Sequence, residues 1–170
     1  MEPEVLKEYA RHHETGTTIP DELIEKIQAA ATFNQGFATT EYLAACYLDL
    51  AWHDLEDNAV PTVDDLEQQA MQSIDLVEEI YPRYRSTYFQ HIFTGTAYSA
   101  GYYSYIWAEV LDADGYESFV ENGLFDPATA DSFRRNILER GGSDDPMSLY
   151  QAFKGREPEV GPLLKHRGLS

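Results

Sequence analysis

Apolar residues recur along this chain at the three- and four-residue spacing of helices, and almost nowhere at the alternation of a strand. Val5 and Tyr9 mark a first short helix that ends near His12-His13, and Thr15 to Thr18 reads as a loop. Pro20-Asp21-Glu22 opens a second helix, because proline lacks an amide that a first turn would leave unpaired and acids suit the positive end of the helix dipole. Its stripe is Leu23, Ile24, Ile27 and Ala31, and Asn34-Gln35-Gly36 breaks it. A third helix starts at Thr39 or Thr40 and runs to Asp57, with Ala44, Ala45, Tyr47, Leu48, Ala51 and Trp52 as a wide apolar surface. Thr62-Val-Asp-Asp65 resembles a capping box with aspartate in the glutamate position. Leu66, Ala70, Ile74, Val77 and Ile80 carry the fourth helix to Tyr81-Pro82.

Arg83 to Thr96 reads as non-helical, anchored by Tyr84, Tyr88, Phe89 and Phe93, with Ser86 to Phe93 the one strand candidate. A long aromatic connection of this kind points to function. A tyrosine-rich helix follows from Ala97 to Leu111, then a turn at Asp114-Gly115 and a short helix from Glu117 to Glu121. Asp126-Pro127 supplies an N-cap and a first-turn proline for a helix to Arg140, stopped by Gly141-Gly142. Asp145-Pro146 opens another helix with Leu149, Tyr150 and Phe153, ended by Gly155, and Val160 to His166 forms a last one. Without a repeat, a low-complexity tract or a linker, the pattern predicts a single all-α unit over residues 1–170 with seven to nine helices.

Charge narrows the partners. Thirty acidic residues against 12 basic ones disfavour nucleic acid, which needs clustered cations. At 43% hydrophobic and 13% aromatic, the chain can still bury a core and is not read as disordered. Cys46 is the only cysteine, so neither an internal disulfide nor a thiolate metal site is available. It reads as a small core residue and fits a reducing, cytoplasmic compartment. No apolar run reaches the ~18 residues of a membrane span, and Met-Glu-Pro-Glu is no signal peptide.

The histidines are His12, His13, His53, His91 and His166. His13-Glu14 begins the helical zinc motif, but Thr17 stands where its second histidine belongs, so no metal ligand set is assigned to this chain. Asp49, His53 and Asp57 fall at i, i+4 and i+8, a spacing that suits a divalent ion. The abundance of acids favours a solvated acidic face with a paired histidine instead. Glu78-Glu79 reads as surface, while Asp64-Asp65 and Asp144-Asp145 sit at helix starts. There is no phosphate loop, nucleophile elbow or CxxC.

The stretch from His91 to Tyr105 holds the remaining candidates. On one helix Tyr98, Tyr102 and Tyr105 share a face at i, i+4 and i+7, and Gly101 leaves room beside them. A phenol can donate to a developing oxyanion and a nearby histidine can donate or shuttle a proton, which suits acyl transfer or peptide hydrolysis. Gly95, in the loop Thr94 to Ala97, lets backbone approach a substrate. On residue types alone, an aromatic core helix with internally bonded hydroxyls is the stronger reading.

The same stretch resembles a signature of the zinc metallopeptidases that include thimet oligopeptidase, oligopeptidase A and peptidyl-dipeptidase, and is nearest to the bacterial peptidyl-dipeptidase branch. Ile19-Pro-Asp-Glu-Leu-Ile-Glu-Lys26, Phe33-Asn-Gln-Gly36 through Leu43, Leu149-Tyr150 through Gly155-Arg156, and Leu163 through Leu169 resemble it too, so essentially the whole chain is covered. The resemblance implies the C-terminal part of a longer helical enzyme with a deep channel. Its zinc would be held upstream, by an HExxH helix and a glutamate on the next helix. His91 corresponds to a histidine that bonds bound peptide, Tyr98 and Tyr105 to tyrosines lining the site, and Tyr105 to the transition-state stabiliser. Tyr102 is a weaker substrate contact, and Gly95 lies in a loop that is richer in glycine in many relatives. Short peptides are the implied substrates, zinc the implied cofactor of the parent, and the missing N-terminal part the implied partner. The chain alone is expected to be inactive, and apolar surface left exposed is expected to permit dimerisation. A periplasmic parent stays compatible, since an export signal would lie upstream. The rival reading is a stand-alone helical module that binds peptides without cleaving them.

Overall fold

The computed structural model describes residues 2–56 and 61–170. Nine α-helices occur among them: α1 Pro3–Tyr9, α2 Asp21–Ala31, α3 Gln35–His53, α4 Val63–Ser73, α5 Gln90–Phe93, α6 Ser104–Asn122, α7 Pro127–Phe133, α8 Pro146–Lys154 and α9 Gly161–His166. The one β feature among the described residues is an isolated bridge between Arg11 and Thr18, so the fold is all-α. No helix among these residues is long and apolar enough to cross a membrane.

Local chemistry sets several boundaries where the sequence puts them. Thr62 accepts the Asp65 amide at 3.2 Å, Asp126 the Thr129 amide at 2.7 Å and Asp145 the Ser148 amide at 2.8 Å, each satisfying a first-turn donor. Gly155 closes α8 in the left-handed conformation with φ 81°.

Other boundaries differ. Asn34, left-handed at φ 58°, lets α3 begin at Gln35 rather than Thr39 or Thr40. The described part of α3 ends at His53, and Asp57 lies outside the described residues. The fourth helix stops at Ser73 rather than at Tyr81. Asp75 turns left-handed at φ 50° and donates to Gln72 O, while Leu76 donates to Met71 O, a helix terminator made without glycine. The proposed strand over Ser86 to Phe93 is instead a 3₁₀ turn at Ser86–Tyr88 followed by α5. The helix from Pro127 widens into a π turn at Arg134–Leu138.

The largest correction concerns the tyrosine segment. Residues 97–103 are turns, not helix, and α6 then runs unbroken through Asp114-Gly115 to Asn122. Gly115 is buried where α6 meets α8, with Phe153 and Tyr150 atoms 3.7 and 3.8 Å from the place a Cβ would occupy. Asp-Gly makes a turn when the aspartate bonds nearby backbone. Asp114 instead accepts from Tyr150 and Arg156 on and just beyond α8.

The core forms where α3 is covered by α4 and by the 84–102 segment. Tyr42, Ala45, Cys46 and Leu48 of α3 meet Ala70, Phe89, Ile92 and Tyr102. Cys46 is thus the small core residue expected of it. The segment is tied down as it crosses: Trp52 Nε1 donates to Ser86 Oγ at 2.7 Å, and Glu67 accepts the Ser86 amide at 2.6 Å and also binds Arg85. This core is the floor beneath the tyrosines.

Candidate functional site

Seven aromatic rings gather over that floor. Tyr98 and Tyr105 stack with centroids 5.7 Å apart and planes 7° apart, and Tyr102 meets Tyr105 edge-on at 5.3 Å. His91, from α5, stands edge-on to Tyr98 at 5.9 Å and to Tyr102 at 6.0 Å, with Tyr84 behind it at 5.5 Å. Phe89 lies under Tyr84 and Tyr102, and Tyr42 lies beside Tyr102. The candidates His91, Tyr98, Tyr102 and Tyr105 are therefore brought together, although by a turn and a helix start rather than by one helical face.

Exposure divides them. Tyr102 is 4% exposed and belongs to the core, as the internally bonded reading expects of all three. Tyr105 is 39% exposed, Tyr98 is half-buried and His91 faces solvent. So Tyr102 supports the rings, and the two stacked tyrosines with His91 form the accessible part of the cluster. Burial pushes the Tyr102 phenol up to about 12. The Tyr105 phenol also sits above the ordinary tyrosine value, chiefly because the Tyr98 hydroxyl holds its neutral form, with burial second. A neutral phenol is a hydrogen-bond donor, which is what an anionic intermediate requires.

The start of α6 is capped from a distance. Its own N-terminus has no side-chain cap, but Tyr42 accepts the Ile106 amide at 3.2 Å and donates to Tyr102 O at 2.8 Å. One hydroxyl thereby satisfies a first-turn donor and fixes the register of Tyr102 and Tyr105. On the other side of the turn Ala100 is left-handed at φ 55°. Its amide and that of Tyr102 donate to Asp49 at 3.0 and 2.8 Å.

Asp49 corrects one expectation. It does not lie on a solvated acidic face: it is fully buried. The pairing with histidine holds, since His53 Nδ1 lies 2.9 Å from Asp49 Oδ1. Neither Asp49 nor Tyr42 stood out as a partner of the tyrosines. The available signal was their spacing of seven along α3, which puts an acid and a phenol on one buried face.

Gly95 has open space around it, with no atom within 4 Å of where a Cβ would stand. His12, His13 and Glu14 bring one ligand atom each within 4.8 Å of one another on an exposed turn. The two rings stack at 5.0 Å and 20°, so their in-plane lone pairs run side by side rather than converging. His12 Nδ1 already accepts the Glu14 and Thr15 amides at 3.3 Å. This arrangement does not fit a zinc centre.

The chain is 46% identical over 171 residues to the dipeptidyl carboxypeptidase of Escherichia coli, covering 99% of this chain and 25% of that protein. It is 37% identical to oligopeptidase A of the same organism, again over 99% of this chain and 25% of the relative. Saccharolysin of Saccharomyces cerevisiae is 32% identical over 93% of the chain and 22% of that protein. The chain thus spans about a quarter of the length of the relatives it matches. The pattern that defines peptidase family M3 matches residues 1–169, and the chain belongs to that family.

Proposed function

We propose that this chain is the C-terminal part of the catalytic domain of a zinc-dependent peptidase that acts on short peptides, of dipeptidyl carboxypeptidase type. Two observations support the reading: the similarity to the dipeptidyl carboxypeptidase of Escherichia coli, and the outward-facing Tyr98–Tyr105 stack beside His91. Zinc would supply an activated water, and its ligands would come from elsewhere in the longer protein. The residues of this chain bind and orient. His91 would bond the bound peptide, Tyr98 and Tyr102 would line and support the site, and the backbone around Gly95 would approach the substrate. Tyr105 would donate a hydrogen bond from its hydroxyl to the tetrahedral oxyanion. On this reading the chain is inactive by itself, as a set of substrate contacts without a source of hydroxide. Exposed Tyr47 and Leu50 on α3, Tyr103 just before α6 and Trp107 on it suit burial against the rest of such an enzyme, or against a second copy when that part is missing.

The test is turnover of an internally quenched peptide by the full-length peptidase carrying this segment. Loss of one oxyanion donor typically costs ~10²–10³ in kcat, so Tyr105→Phe should slow turnover by about that factor. A variant that turns over like the wild type would sink the assignment.

A further inference from the structure

The Ala100–Tyr102 turn is held in an uncommon shape by one carboxylate. Ala100 occupies the left-handed region, which a residue with a Cβ adopts only where its surroundings over-determine it. The Ala100 amide donates to Asp49 Oδ1 at 3.0 Å and the Tyr102 amide to Oδ2 at 2.8 Å. Two near-successive amides converging beside a left-handed residue form a concavity that binds anions, and here the protein fills it with its own. The anion is covered from outside. His53 Nδ1 lies 2.9 Å from Asp49 Oδ1 and 2.8 Å from the Asp49 carbonyl oxygen. The Ala100 amide also points at this nitrogen, at the longer distance of 3.3 Å; the two closer acceptor oxygens outweigh it and assign the proton to Nδ1, which donates. The His53 ring leans on Phe93 of α5, two residues from His91.

The turn separates the two stacked tyrosines: Tyr98 precedes it and Tyr105 follows on the first turn of α6. Tyr42 fixes the helix side by accepting the Ile106 amide. Asp49, seven residues further along the same α3, fixes the turn side. One helix thus sets both halves of the stack.

We propose that Asp49, backed by His53, is a positioning residue: it sets the Ala100–Tyr102 turn and thereby holds Tyr98 in register with Tyr105. The inference rests on the peptidase reading of Tyr105. Asp49 touches no substrate in this scheme and acts through the backbone. Displacements of about 1 Å can cost ~10² in rate, so small slack in the turn matters.

Asp49→Asn tests it. The substitution keeps shape and volume but turns one acceptor oxygen toward a backbone donor as an NH₂ group. Amide hydrogen exchange, followed residue by residue in this chain, should quicken roughly 10–100-fold at Ala100 and Tyr102. Leu48 and Val110, in the cores of α3 and α6, should hold their rates. In the full-length peptidase, kcat should fall roughly 10–100-fold with KM little changed. Unchanged exchange at both amides would overturn the proposal, as would faster exchange with kcat intact. Should the variant fail to fold, the wild-type chain still decides. Its Ala100 amide lies outside any helix and should nevertheless exchange as slowly as core amides, and free exchange there would overturn the proposal. The peptidase reading fails separately, through undiminished turnover of Tyr105→Phe, a result independent of the exchange rates.

Discussion

Two aspartates, Asp49 on α3 and Asp114 on α6, are equally shut off from water, yet their partners differ in kind. Asp114 is bound by side chains. Arg156 grips it with two nitrogens at 3.0 and 2.7 Å, and the Tyr150 hydroxyl donates as well. Those bonds join the middle of α6 to α8 and the residues after it. Asp49 is bound by two backbone amides of an irregular turn and one histidine. A charged pair between side chains fastens one element to another. A carboxylate that takes amides dictates the path of the chain itself. The first use stabilises the fold, and the second gives shape to the turn between Tyr98 and Tyr105.

The comparison breaks if Asp114 turns out to shape the site, or if it contributes little to stability. Removing one member of a buried pair costs 3–5 kcal/mol in general. Arg156 is 39% exposed and can turn to water, so Asp114→Ala should lose about 3 kcal/mol, at the low end of that range. Urea denaturation would measure it. The Ala100 and Tyr102 amides should keep their protection in the folded variant, and losing it would erase the division of labour.

A smaller effect comes from acid. Burial alone would raise the Asp114 carboxyl, but hydrogen bonds from Arg156 and Tyr150 outweigh it and hold the group below the ordinary carboxylate value. A depressed carboxyl contributes stability that is complete above its unfolded value of ~4 and is lost as pH falls through the folded value. Urea midpoints should therefore drop more steeply below pH ~4 in the wild type than in Asp114→Asn. Parallel curves would contradict the assigned role.

The smallest change is expected at Gly95. With open space around it, Gly95→Ala should alter stability by less than ~0.5 kcal/mol, read from the same denaturation curves. A larger loss would show that the loop is held by contacts outside the ring cluster.

What the sequence revealed follows the range of the interaction concerned. Helix starts at Thr62, Asp126 and Asp145 were legible because each cap bonds an amide three residues on. The end of α4 was not, because Asp75 takes a left-handed position usually advertised by glycine. The unbroken α6 and the turn at 97–103 share one cause. Asp114 finds Tyr150 and Arg156, and Asp49 the Ala100 and Tyr102 amides, 36 to 53 residues away, beyond the reach of any local pattern. The site itself was partly legible. His91, Tyr98 and Tyr105 do come together in one cluster, but the common helix face expected of Tyr98, Tyr102 and Tyr105 is replaced by a turn built around a distant carboxylate. The resemblance to zinc oligopeptidases, carried by motifs along nearly the whole chain, agrees with membership of peptidase family M3.

The central claim is that Tyr105 binds the transition state better than the substrate, and a tetrahedral mimic tests that directly. A phosphinic peptide, whose phosphorus imitates the tetrahedral intermediate, would be titrated against the full-length peptidase and its Tyr105→Phe variant beside kcat and KM. The account predicts that mimic affinity and kcat/KM fall together by ~10²–10³ while KM moves little. Full turnover by the variant, or a loss of kcat/KM with mimic affinity unchanged, would contradict it.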